Sequence, residues 1–270
     1  MRRPPRICAL LFVLGCAVIL ASSATAQTVP TSVQDLSAAS SDAGVLSNPS
    51  YQTSWPSPIA DHEVYSFVLL DNLEYRKDEL RWGMEGWRGG DRNRFWYKSE
   101  GEQSTTSGAS EGDVQALYSR LISPYFDFQA GLRYARRWGE GPSHSRVYAV
   151  VGLQGLAPYR FDIEPSLQVS QQGKVQFRLT ASYDFLLARR LVLQPKAETS
   201  LALQKDNEFG ILSHINDSDV GLRIRYEVRR EFAPYIGVSW RQGFGSRATS
   251  LPGGFEPNSI SLVAGVRLWH

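Results

Sequence analysis

Lys174-Val175-Gln176-Phe177-Arg178-Leu179-Thr180-Ala181-Ser182-Tyr183-Asp184-Phe185 alternates without a break between polar and apolar side chains. Successive side chains of a strand point to opposite faces, so this period of two describes a strand with one apolar and one charged face. The run is 12 residues long, whereas strands of ordinary globular proteins run to about five or six.

The same pattern recurs on either side. In 159–170, Tyr159, Phe161, Ile163, Leu167 and Val169 alternate with Arg160, Asp162, Glu164, Ser166, Gln168 and Ser170. In 219–229, Val220, Leu222, Ile224, Tyr226 and Val228 alternate with Asp219, Gly221, Arg223, Arg225, Glu227 and Arg229. Extended along the chain, this reading gives twelve strands over about 64–77, 81–88, 91–101, 113–123, 125–137, 146–157, 159–171, 174–187, 190–204, 218–230, 232–243 and 259–270. Asp71 breaks the first of them, because it falls on the apolar side, and glycines blur the second.

The connections alternate too. Tight ones fall at Gly89-Gly90, Pro124, Pro158, Arg189 and Glu231, and most of the others are longer, at 102–112, 138–145, 205–217 and 244–258. Short turns on one rim, long loops on the other and an even strand count describe an antiparallel transmembrane β-barrel of the outer membrane, with both termini in the periplasm. A soluble β-sandwich or lipocalin-like barrel would have to gather every apolar face into one core. Strand length and loop asymmetry count against it.

The N-terminus fits an exported protein. Arg2, Arg3 and Arg6 precede an apolar run from Ile7 to Ala21, and Ala24-Thr25-Ala26 supplies small residues before a cut at Gln27. This predicts a signal peptide over 1–26. The apolar run is shorter than the about 20 residues of a membrane-spanning helix. Residues 27–63, rich in Ser, Ala and Pro, read as a disordered periplasmic lead. Residues 64–270 then form the barrel. The full chain of 270 residues carries 29 basic and 27 acidic residues, too balanced for a nucleic-acid partner. Cleavage would remove Cys8 and Cys16, leaving no disulfide, thiolate metal site or cysteine nucleophile.

Several stretches carry a family resemblance: Asp71-Asn72-Leu73-Glu74-Tyr75-Arg76, GWRGGDRNRFWYKSEGE at 86–102, ALYSRLISPYFDFQAGLRY at 116–134, VGLQGLAPYRFDIEP at 151–165, LARRLVLQPKAE at 187–198 and GLRIRYEVRREFAPYIGVSW at 221–240. In order and spanning nearly all of 64–270, they resemble the copper resistance protein B family of bacterial outer-membrane proteins. The resemblance implies a role in copper tolerance, copper ions bound or moved across the membrane, and a periplasmic multicopper oxidase as partner. The family often carries a Met- and His-rich segment before the barrel. Here residues 27–63 hold no Met and one histidine, His62, and Met84 is the one methionine beyond the signal peptide. Such copper binding as that segment provides is not expected here.

The candidate metal ligands are Asp162, Glu164 and Asp184 on the charged faces, with His62 and Met84. A hairpin centred on Gly173 would set Asp162 opposite Asp184, and facing carboxylates need a positive partner, either Arg160 or Arg178 or a divalent cation. Across the lumen, Glu74, Glu100, Asp127, Glu198 and Asp219 share space with Arg76, Lys98, Arg120, Arg133, Arg178 and Arg223. Such charges either pair and plug the barrel or line a cation path, so a passive narrow pore or envelope scaffold stands beside the copper reading. His144 and His214 fall in predicted long loops and are not spaced as a metal pair. Ser143-His144-Ser145 lacks an orienting Asn or Asp, so no enzyme is expected. Arg136-Arg137, Arg189-Arg190 and Arg229-Arg230 at strand ends suit lipid headgroups or lipopolysaccharide phosphates.

Overall fold

The computed structural model describes residues 64–106, 108–139, 143–204, 214–243 and 258–270, with backbone alone for 214–216. The expected signal peptide, the lead and His62 lie outside the described residues. The strands are β1 (Tyr65–Arg76), β2 (Glu79–Gly89), β3 (Asn93–Ser104), β4 (Ser110–Ser123), β5 (Phe126–Trp138), β6 (His144–Ala157), β7 (Phe161–Ser170), β8 (Val175–Ser182), β9 (Phe185–Ala188), β10 (Leu191–Ala202), β11 (His214–Tyr226), β12 (Phe232–Gly243) and β13 (Asn258–Trp269). All neighbours pair antiparallel, and β1 pairs with β13 as well as with β2, so the sheet closes on itself.

β8 and β9 are two pieces of one stave, which makes twelve staves in the ring. Ser182 faces Lys196 and Phe185 faces Leu193, a single register against β10. The interruption at Tyr183-Asp184 lies opposite Pro195, which has no N–H to donate to the ladder. One bond survives there, from the Tyr183 backbone N–H to the Pro195 carbonyl at 3.1 Å.

The exception at Asp71 has a physical cause. The β1–β2 register shifts between Leu70 and Asn72, a β-bulge that adds one residue to β1. The extra residue lets Asp71 and Asn72 both serve the inner face, while Leu73 and Tyr75 remain outside. Asp71 then reaches Lys196 Nζ at 3.0 Å and Arg267 Nε at 3.4 Å.

The alternation assigns the two surfaces. Leu132, Ile236, Ile260 and Leu262 stand outward and exposed, with Leu262 80% accessible. Glu74, Arg76, Lys98, Arg146, Gln168 and Arg225 point inward and are buried. An apolar exterior around a charged interior can be stable only against lipid, and the barrel is an outer-membrane protein. The inner wall from β3 to β6 also packs Trp96, Leu117, Ala135, Tyr148 and Val150 together, with Trp87 against them.

One expected inward residue is misplaced. Arg120 is exposed and paired with Asn93 and Phe128, on the opposite parity to the buried Ser119. It belongs to the outer surface near the short-turn rim. The topology gives a direct test. Gly108 and Gly173, both with a φ of 77°, leave open space where a Cβ would point and lie on the rim opposite the start of β1 and the end of β13. A short tag inserted at either should be reached by antibody on intact cells. A tag just before Val64 should require permeabilised cells.

Candidate functional site

The lumen is the site, and its chemistry is set by which strands face one another across it. At its most buried point, Glu74 of β1 accepts hydrogen bonds from Arg76 Nη2 at 2.7 Å, Arg223 Nε at 3.0 Å and the Tyr235 hydroxyl at 3.2 Å. Gly265 lies opposite Glu74, and a Cβ there would sit 2.6 Å from the Tyr235 oxygen, so a glycine is required for the tyrosine to reach the carboxylate.

Towards the long-loop rim, Asp219 gathers Arg76 at 2.7 Å, Arg81 at 3.3 Å and Arg241 at 3.6 Å. Arg241 also holds Glu102 at 3.1 Å and Glu79 at 3.5 Å. Further pairs cross the barrel: Arg81–Glu198 at 2.6 Å, Arg178–Glu100 at 2.5 Å and Lys98–Glu164 at 2.5 Å. Among the described residues, acids and bases therefore pair across much of the lumen.

Two spaces remain. The larger, about 290 Å³, is lined by seven carboxylates, Asp71, Glu85, Glu100, Asp162, Glu164, Asp184 and Glu198, and by five bases, Arg81, Lys98, Arg160, Lys196 and Arg267. The smaller, about 140 Å³, is lined by Glu100, Glu102, Glu111, Asp113, Glu198, Asp217 and Asp219 and by Arg81, Arg133, Arg178 and Arg241. In both, acids outnumber bases, so each space favours cations.

The predicted site residues divide. Asp162, Glu164 and Asp184 all line the larger cavity. Their register differs from the expectation: Asp162 faces Ser182, because the β7–β8 turn is centred one residue before Gly173. Its geometry explains the shift. The Ser170 hydroxyl accepts from the backbone N–H groups of Gln172 and Lys174, and Gly173 takes the left-handed conformation in the turn's second half.

The positive partners also differ from Arg160 and Arg178. Glu164 is held by Lys98 from β3, and Asp184 by Arg225 of β11 at 2.8 Å and Gln194 of β10 at 2.8 Å. Asp162 has neither a side-chain hydrogen bond nor an ion pair among the described residues, and Glu85 has only Lys98 at 3.9 Å. Met84 of β2, in register with Leu70 and Ser99, is buried and also contributes to the lining of the larger cavity. β6 opens at His144, opposite Arg137, and β11 opens at His214, so both histidines begin strands instead of sitting within loops. Among the described residues, no three His, Cys, Asp or Glu side chains are grouped so as to hold a metal ion together.

Asp71, Glu79, Arg81, Glu85 and Arg241 are lumen residues that the alternation of single strands missed. A signal for three of them was present, since Glu79, Arg81 and Glu85 share one parity of β2. The glycines at 83, 86 and 89 hid it.

Comparison with known proteins follows the same lines. The family model described as Copper resistance protein B precursor matches residues 64–270. Copper resistance protein B of Escherichia coli is 41% identical over 217 residues, covering 78% of this chain and 71% of that protein. Copper resistance protein B homolog of Pseudomonas syringae pv. tomato is 35% identical over 216 residues, covering 78% and 72% respectively. Among solved structures, NanC porin aligns with a TM-score of 0.48 at 11% identity over 76% of this chain and 99% of its own. KdgM porin aligns with a TM-score of 0.44 at 12% identity over 76% and 98%.

Proposed function

The chain belongs to the copper resistance protein B family, and from that premise we propose that its lumen passes copper(II) ions across the outer membrane, as a non-enzymatic part of copper tolerance. The observation that carries this reading is the larger cavity, where Asp162 is unpaired and Glu85 only weakly paired amid an excess of carboxylates. Its donors are mainly carboxylate oxygens, with Met84 the one thioether in the lining. Copper(I) would need thiolate or thioether ligands, whereas copper(II) binds a given oxygen or nitrogen site more tightly than neighbouring divalent metals do. A lining dominated by carboxylate oxygens holds such an ion weakly, which suits transit better than storage. The multicopper oxidase that the family resemblance implies would meet the ion on the periplasmic side.

A second reading is favoured by the density of ion pairs: a plugged scaffold with no metal role. Copper tolerance of a deletion strain separates the two. Loss of the gene should lower the tolerated copper concentration, with a smaller effect on zinc and none on silver, and the intact gene should restore it. Unchanged copper tolerance favours the scaffold.

A further inference from the structure

We propose that Arg81 and Arg178 form a side-chain latch that closes the lumen between its two cavities. This rests on the cation-path reading above and concerns how that path is regulated.

Both cavities are lined by Arg81, Glu100 and Glu198, so these three side chains are a common wall. Arg178 completes it from the side of the smaller cavity. Arg81 of β2 donates to Glu198 of β10 at 2.6 Å, and Arg178 of β8 donates to Glu100 of β3 at 2.5 Å. A contact from Arg178 to Glu198 at 3.6 Å ties the two pairs together. Each pair joins staves five steps apart in the ring of twelve, so each bridges nearly opposite walls of the barrel.

The residues of this wall project from strands, and side-chain rotation alone could join the cavities while the barrel stays fixed. In the closed arrangement the guanidinium groups neutralise Glu100 and Glu198 and occupy the space between them. Moving them aside leaves Glu100 and Glu198 facing the path with Lys196, 3.2 Å from Glu198, as the remaining paired base, and two carboxylates against one base draw cations and repel anions. A divalent cation arriving from either cavity competes with the arginines for the same oxygens, so the cargo itself favours the open state.

The test is electrical. Purified full-length protein is placed in planar bilayers in KCl, and the wild type is compared with Arg81→Ala/Arg178→Ala. The double variant should conduct at least about tenfold more, the factor set by roughly one weak ion pair's worth of barrel barrier. Its reversal potential in a KCl gradient should shift towards that of K⁺. Arg81→Gln, which keeps Arg178 and most of the packing, should give an intermediate rise if the double variant fails to assemble. Unchanged conductance and selectivity in variants that retain heat-modifiable migration overturns the latch. If the variants conduct as expected and loss of the gene leaves copper tolerance unaltered, the latch stands and the copper reading falls.

Discussion

Replacing Glu74 with Gln should lower barrel stability by about 3–5 kcal/mol, the usual cost of removing one partner from a buried ion pair. Glu74 is fully buried and is the shared acceptor of Arg76, Arg223 and Tyr235. Glutamine keeps the shape and offers one carbonyl oxygen, but it leaves Arg223 buried without a negative partner. Arg76 keeps Asp219 at 2.7 Å, so the loss falls mainly on the contact between β1 and β11. The measurement is the urea midpoint of folding into lipid vesicles, read by heat-modifiable migration. Gly265→Ala should act on the same cluster by displacing the Tyr235 ring, whose Cζ would lie 2.7 Å from the new Cβ.

The second large effect is on ion passage and leaves stability alone. Asp162→Asn with Glu85→Gln removes two carboxylates that hold little of the structure together: Asp162 has no ion pair, and Glu85 has only a distant lysine. The unfolding free energy from urea titration should change by less than about 1 kcal/mol, as for weakly paired charges. Copper(II) entry should fall by at least ~10-fold, the lower end of what a charged cleft adds to the rate of ion encounter. Glu74 and Asp162 thus separate the two kinds of lumen carboxylate, one structural and the other available to a passing cation.

The fold was legible because lipid outside and charge inside force an alternation, which runs unbroken over 174–185 and recurs along most of the twelve strands. What alternation could not convey was any place where the count of two is broken. Asp71 looked like an error in the first strand and marks the bulge that brings it to Lys196 and Arg267. Pro195 splits the eighth stave at Tyr183, on a neighbouring strand that single-strand periodicity does not consult.

The site was legible in part. Asp162, Glu164 and Asp184 do share a cavity. Their partners were not readable, because Lys98 approaches Glu164 from 66 residues away and Arg225 approaches Asp184 from 41 away. Closure of the barrel brings such pairs together, and no local pattern encodes them. A register slip of two residues keeps the same face and changes every partner, which is why Asp162 meets Ser182.

Copper(II) entry into liposomes bearing the purified barrel shows whether the lumen passes the ion. An entrapped copper-sensitive dye should report entry faster than in protein-free liposomes, faster again with Arg81→Ala/Arg178→Ala, and slower with Asp162→Asn/Glu85→Gln. Entry no faster than in protein-free liposomes, with the latch arginines removed and the barrel still showing heat-modifiable migration, would mean that the lumen is no path for copper(II).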